Sequence, residues 1–370
     1  MKRTVSTVTP IVLMVCVVVF LTTFLLFQRM ETHSWWDDPW ASDKDIGKGS
    51  VQYTYFPIDE SYITWIIPLG KVGVPQHPIP TDHIYFATDK SEMIGLLPAP
   101  YEVRAPAAGY IVHIQKFKWS ELQTGREYDD YSFHILHTNT FMTFLGHVYD
   151  PAEHILQQAG KLNYGDNLVW IRVEAGEVIG RSTGGDMGTY NREVTLNFIR
   201  PERYEPLMLH TVCPLDYFEP NLRERLYEKV LRKGEPKGGK IDYDQPGRLI
   251  GNWFLQGSPV SLLSMNWAPQ LSFAYGVYDS AEIQIGFSEG LGIPQKFLCY
   301  NAYKVVSGPD PAAVTVESGS VIYWLVAEGA PETRLTLLVQ MVKEDTIRIE
   351  AFDGWVENPS FTSQAKCYTR

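Results

Sequence analysis

Residues 183–199, TGGDMGTYNREVTLNFI, join a glycine-rich stretch to an alternating one. Gly184, Gly185 and Gly188 give a flexible loop. Val194, Leu196 and Phe198 then alternate with Thr195 and Asn197, the period-2 pattern of a half-buried strand. Thr195 and Asn197 would share one face beside that loop, where a site can be built. A second set of candidates lies in PTDHIYF, 80–86. Alternation puts Thr81, His83 and Tyr85 on one strand face, with Asp82 and His77 close by. A third candidate is His147, in FLGHV. His83 and His147 could form a hydrogen-bonded pair in a groove, or with His77 a metal site. His134 and His137 read as structural histidines, and His113, His154 and His210 carry no spacing signal. Asp129 and Asp130, in EYDDY, read as a solvated turn rather than as a carboxylate pair for glycan hydrolysis. There is no P-loop, H-E-x-x-H or C-x-x-C.

These residues need elements to carry them, and strand signals dominate. YTYF, YITWIIPL, HIYFA, YEVRA, GYIVHIQ, YSFHILH, TFMTFLGHV, LVWIRV and VTLNFI are short β-rich runs bounded by Gly, Pro, Asp or Asn. One clear helix is expected at 221–233, capped by Asn221, with a Leu222, Leu226, Val230 stripe and Gly234 beyond its end. Residues 233–248, rich in Gly, Pro and charge, read as a linker. β-runs then resume to residue 370. Eight or nine of them in the last 120 or so residues argue for a small antiparallel barrel or sandwich.

The order of pieces from residue 76 to 217 resembles the LytM-like zinc endopeptidases of the M23 family. The matching stretches are TDHIYFA, YEVRAPAAGYIVHI, YSFHILHTNTFMTFLGHV, VEAGEVIGRSTGG and REVTLNFI, in the family's order. The resemblance implies a β-sandwich of the barrel-sandwich hybrid type around a zinc site. Residue by residue, the family's ligands do not carry over. Its first histidine falls on Thr81, its aspartate on Tyr85, and its last two histidines on Thr195 and Asn197; only His147 matches. Thr hydroxyl and Asn amide are poor zinc ligands, and Tyr85 would have to ionise against a reference value near 10. The expectation is a degenerate peptidase groove of Thr81, His83, Tyr85, His147, Thr195 and Asn197, with no cofactor. The alternative is a metallohydrolase with relocated ligands His77, His83 and His147. GNW at 251–253 is similar to the G-x-W that opens lipocalin-type barrels, which would make the second domain a lipocalin-like barrel, filled by side chains or carrying an apolar small molecule.

Composition bounds the rest. The chain has 370 residues, 45% of them apolar, enough for two packed domains and far from disorder. Its net charge of −11, without a long Lys/Arg run, argues against nucleic acid. Lys2 and Arg3 precede the apolar run at 11–27, which has no small-residue cleavage site after it. That pattern reads as an uncleaved single-pass anchor in a bacterial cytoplasmic membrane, with the soluble part outside. Trp35, Trp36 and Trp40 form either an interfacial belt or a packed cluster. The expected organisation is mainly β. It comprises a cytoplasmic tail (1–10), a transmembrane helix (11–27) and a juxtamembrane segment with leading strands (28–75). The degenerate LytM-like domain (76–217), a helix and linker (218–248) and the barrel (249–370) follow. The expected role is binding or scaffolding in the cell envelope, with peptidoglycan, another envelope protein or a second copy as partner. Outside the cytoplasm cysteines can pair. Closure of the barrel would bring Cys367 beside Cys299, and lipocalin-like barrels often tie down the C-terminus this way. That pairing leaves Cys213 free.

Overall fold

The computed structural model describes residues 35–370 apart from 75, 96, 121–124, 260–266, 299–302 and 329. The expected anchor at 11–27 lies outside the described residues. Among the described residues no helix is long and apolar enough to cross a membrane.

The chain is mainly β and folds as two lobes. The first contains β1 (Ile63–Ile67), β2 (His83–Thr88), β3 (Tyr101–Arg104), β4 (Gly109–Ser120), β5 (Glu127–Thr138), β6 (Phe141–Val148), β7 (Asp150–Pro151), α1 (Glu153–Ala159), β8 (Gly165–Val173), β9 (Val178–Ser182), β10 (Gly184–Asn191), β11 (Thr211–Val212) and α2 (Pro220–Glu228). The large sheet runs β1-β2-β10-β6-β5-β4-β8, with β11 on β10, and a small sheet runs β3-β9-β7. Ile84, Phe86, Phe133, Ile135, Leu145 and Val148 of the large sheet share one core with Val103 and Ile179 of the small one. Alternation along β5 sends Tyr131, Phe133 and Ile135 into that core, so Asp130, Ser132 and His134 point the other way. A bulge between Ile111 and His113 shifts β4 by one residue against both neighbours. It lets Ile111 and Ile114 both reach the core, while His113, Gln115 and Phe117 fall on the β5 polar side. Trp35, Trp36 and Trp40 pack on the outside of the sheet against Val112, Leu136 and Met142, which is the packed-cluster arrangement.

Three expectations change here. Residues 194–198 are not a strand. The strand is β10, one step earlier, in the stretch read as a flexible loop. The helix is shorter than expected and begins at Pro220, which fits the first helical position because it has no N–H to leave unsatisfied. It stops at Glu228 because the next residues bond to β1: Ile66 N–H donates to Lys229 O at 2.9 Å and Leu231 N–H to Ile66 O at 2.9 Å. Residues 233–248 are packed rather than free. Lys233 N–H donates to Tyr278 O at 2.7 Å, and Tyr243 is buried with Val72, Ile250 and Ala274 between the lobes.

The second lobe is a closed antiparallel barrel of eight strands in sequence order, with β12 and β19 closing it. They are β12 (Gly251–Leu255), β13 (Gln270–Tyr275), β14 (Ile283–Phe287), β15 (Tyr303–Ser307), β16 (Ser320–Ala327), β17 (Ala330–Lys343), β18 (Thr346–Asp353) and β19 (Lys366–Thr369). Its interior is filled by Trp253, Phe273, Phe287, Tyr303, Tyr323 and Tyr368, all fully buried. Arg370 closes one end, its guanidinium 4.1 Å above the Trp253 ring, with Nη1 donating to Ile250 O at 2.6 Å. Cys213 and Cys367 are free thiols. Cys299, the other half of the expected bridge, lies outside the described residues.

Candidate functional site

A groove of about 320 Å³ opens on the face of the large sheet away from the core, walled on one side by Trp267 and Gln270 of the second lobe. Lobe interfaces of this kind are preferred places for ligand sites. The sheet floor is set by register: Tyr85 of β2 lies opposite Asp186 of β10, and Asp186 opposite Gly146 of β6. Adjacent strands therefore bring Thr81, Asp82 and His83, then Asp186, then His147 and Asp130 to one place.

These side chains form a continuous chain of hydrogen bonds and ion pairs. His147 Nδ1 lies 2.8 Å from Asp130 Oδ2, and its Nε2 lies 3.3 Å from Asp186 Oδ2. His83 Nε2 lies 3.8 Å from the same Asp186 oxygen and 3.1 Å from the Tyr85 hydroxyl. His83 Nδ1 lies 2.9 Å from Asp82 Oδ1, and Tyr190 donates to Asp82 Oδ2 at 2.9 Å.

The electrostatics follow from the pairing. Burial opposes charge on His147, but Asp186 and Asp130 overcome it and hold the ring well above the ordinary histidine value. Burial opposes charge on His83 too, and the Asp82 hydrogen bond with the Asp186 charge raises it. Asp186 resists burial through His147, and Asp82 through His83, so both titrate below the ordinary value. Two groups go the other way. Burial brings His77 down to about 4, helped by the His83 charge. Burial pushes Glu205 up to about 8, helped by Asp82. Strongly shifted groups gathered in one cleft mark a candidate site. His77 (φ 58°) and His147 (φ 62°) are the two non-glycine residues in the left-handed region among those described, and both line this groove.

Of the residues expected here, Thr81, His83, His147 and His77 line the groove, and Tyr85 reaches it through His83. Thr195 and Asn197 do not; both are exposed beyond the end of β10. The chain there has no strand pairing but is bonded by carboxylates and one carbonyl: Asp242 accepts from Asn197 N–H at 3.3 Å, Asp244 from Ile199 N–H at 2.9 Å, and Leu209 O from Leu196 N–H at 2.9 Å. Asp186 and Asp130 were missed. Asp186 was hidden in the glycine-rich stretch. Asp130, in a stretch whose sequence suggests a solvated turn, is instead a buried residue of β5 on the same face as Ser132. His134 and His137 are both buried: His134 Nδ1 meets His113 Nδ1 at 3.1 Å and His134 also lines the groove, while His137 spans Ala108 O and Thr143. The run GRSTG, 180–184, matches the serine-hydrolase pattern G-x-S-x-G. Ser182, however, is fully buried, and its hydroxyl donates to the carbonyls of His147 and Gly184, which is no nucleophile geometry.

The zinc implied by the LytM resemblance does not fit these residues. Both nitrogens of His83 and both of His147 are engaged by acids or by Tyr85. Burial and Asp186 push the Tyr85 hydroxyl further above its ordinary value, away from the phenolate that a metal would need. Among the described residues no group of three or more His, Cys, Asp or Glu is arranged to hold a metal ion. Comparison of the chain with models of known protein families gives no match, and comparison with curated proteins finds none either.

Proposed function

We propose that this chain is a non-catalytic binding or scaffolding protein of the bacterial cell envelope, anchored through residues 11–27 with both lobes outside and built on a degenerate LytM-like first lobe. The observation that carries the reading is the Asp130–His147–Asp186–His83–Asp82 chain. The imidazoles that could serve as ligand or general base are spent on carboxylates, in a groove still open enough to hold a ligand. That is the chemistry of a rigid polar floor for recognition. The relocated-metal reading needs His77, His83 and His147 free to turn toward one ion, and two of the three are held. The carrier reading needs space in a barrel that large side chains fill.

Titration of the full-length chain with solubilised peptidoglycan fragments tests the binding role: saturable binding that weakens in His83→Ala is expected. Elemental analysis tests the non-catalytic part. Stoichiometric zinc, lost on His83→Ala or His147→Ala, would overturn it. The anchor is tested by the N-terminal sequence of the mature protein, which should begin upstream of residue 11.

A further inference from the structure

We propose that the groove binds the sugar rings of a neutral glycan, seated on the wall formed by β4 and β5. This rests on reading the groove as a binding site and names its ligand class. The wall is a ladder of cross-strand pairs in which apolar and polar groups lie side by side. Phe117 sits opposite Asp130, and Gln115 opposite Ser132, with Trp119 one step further along β4. Gln115, Phe117, Trp119, Asp130 and Ser132 all line the groove. The Phe117 and Trp119 rings are 6.1 Å apart at 39°, and Trp119 is 37% exposed at the rim. Together they give an aromatic platform open to solvent. A sugar ring presents one apolar C–H face to such a platform and a girdle of hydroxyls to polar neighbours.

Among the described residues, two polar atoms on the same wall lack partners. Asp130 uses Oδ2 on His147, but its Oδ1 has no hydrogen bond, and neither has Ser132 Oγ. Both residues are 4% exposed and lie just under the groove surface, where an unsatisfied group is costly. A sugar hydroxyl, donor and acceptor at once, suits an aspartate oxygen and a serine hydroxyl spaced two residues apart on one strand.

Charge argues for a neutral ligand. The groove's Asp82, Asp130 and Asp186 are accompanied by His83, His147 and Arg203, with both imidazoles paired to the carboxylates. Glu205, which burial raises to about 8, is mostly protonated below that pH and adds little charge. A strongly charged peptide would find no net field there.

The test uses the full-length chain and two probes: a tetramer of β-linked N-acetylglucosamine, and a charged peptide of similar length. Calorimetry should show binding of the sugar tetramer, weakened about tenfold in Trp119→Ala and again in Ser132→Ala. Saturation-transfer NMR on the unmodified protein, which needs no variant, should show contact from aromatic protons to the sugar C–H face. Binding of the peptide alone would overturn the glycan assignment and leave the groove a binding site. Binding of neither probe would overturn the assignment, while His83-dependent binding of peptidoglycan fragments would still uphold the broader reading. Sugar binding unchanged in both variants would overturn the placement on this wall.

Discussion

Titration is decided residue by residue. His147 has its folded value raised above the unfolded value near 6.5. The clamp it forms with Asp130 and Asp186 therefore stabilises fully below about pH 6.5, and that stabilisation fades as pH rises through the raised value. His147→Gln removes the cation between two carboxylates. Because 45% of the side chain is open to water, the loss should be about 1–2 kcal/mol rather than that of a fully buried pair. His77 and His137 act on the opposite side. Burial holds both near 4, so they take up protons on unfolding, and stability should fall as pH drops from about 6.5 toward 4. Glu205, raised to about 8, adds a loss as pH rises from 4.5 to 8, which Glu205→Gln should remove. Denaturant midpoints measured from pH 4 to 9 check all three, and an acid limb that stays flat would contradict the buried neutral histidines. His83 and His147 were legible in the sequence because a histidine on an alternating strand draws the eye. Their carboxylate partners were not, since Asp is common in turns and its burial depends on which strand lies beside it.

For single elements, the sequence was most readable where one face is buried. The barrel strands and β2, β5 and β6 follow their hydrophobic alternation, and β4 does so on either side of its bulge. β10 was unreadable for a physical reason: its residues are small because the neighbours are close, not because the chain turns. A Cβ on Gly185 would lie 2.9 Å from Gly146 O and 2.9 Å from the Phe86 ring. Gly185→Ala should therefore cost about 1–3 kcal/mol and disturb the Asp186–His147 contact beside it, seen as a shifted His147 titration by NMR. The segment after β10 misled in the other direction. Val194 and Leu196 alternate as a strand would, yet Val194 is 37% exposed. Besides Leu209 O, which accepts from Leu196 N–H at 2.9 Å, this segment is held by Asp242 and Asp244, some 45 residues later, which no local pattern reveals. Asp244 also accepts from Asn252 N–H at 2.8 Å, so one buried carboxylate ties the segment to β12. Asp244→Ala leaves both N–H groups without this acceptor and should cost about 2–4 kcal/mol, measured by chemical unfolding.

Across the whole molecule, the second lobe completes the groove, since Trp267 and Gln270 form one of its walls. The sequence offers a flexible linker between the lobes, because Gly, Pro and charge are the usual marks of one. In the fold the same residues are interface. Lys233 N–H donates to Tyr278 O at 2.7 Å, and Arg232 just before it, 2% exposed, donates to Gly276 O at 2.6 Å and Val277 O at 3.1 Å. Ser272 of β13 donates to Pro78 O at 2.7 Å, and Pro78 adjoins His77, which lines the groove. Such an interface should make the lobes unfold together, with one calorimetric transition whose enthalpy matches the van't Hoff value. Gly286 offers the sharpest way to break it. A Cβ there would lie 2.2 Å from Pro78 O and 2.4 Å from Val72 Cγ1, backbone and side chain of the first lobe that cannot both move aside. Gly286→Val should therefore push the lobes apart while leaving each core intact. The melt should split into two transitions, and ligand binding in the groove should fall even though no groove residue has changed. A variant that still melts in one step with full binding would mean that the lobes are coupled elsewhere, and that Pro78 and β14 do not hold the groove closed.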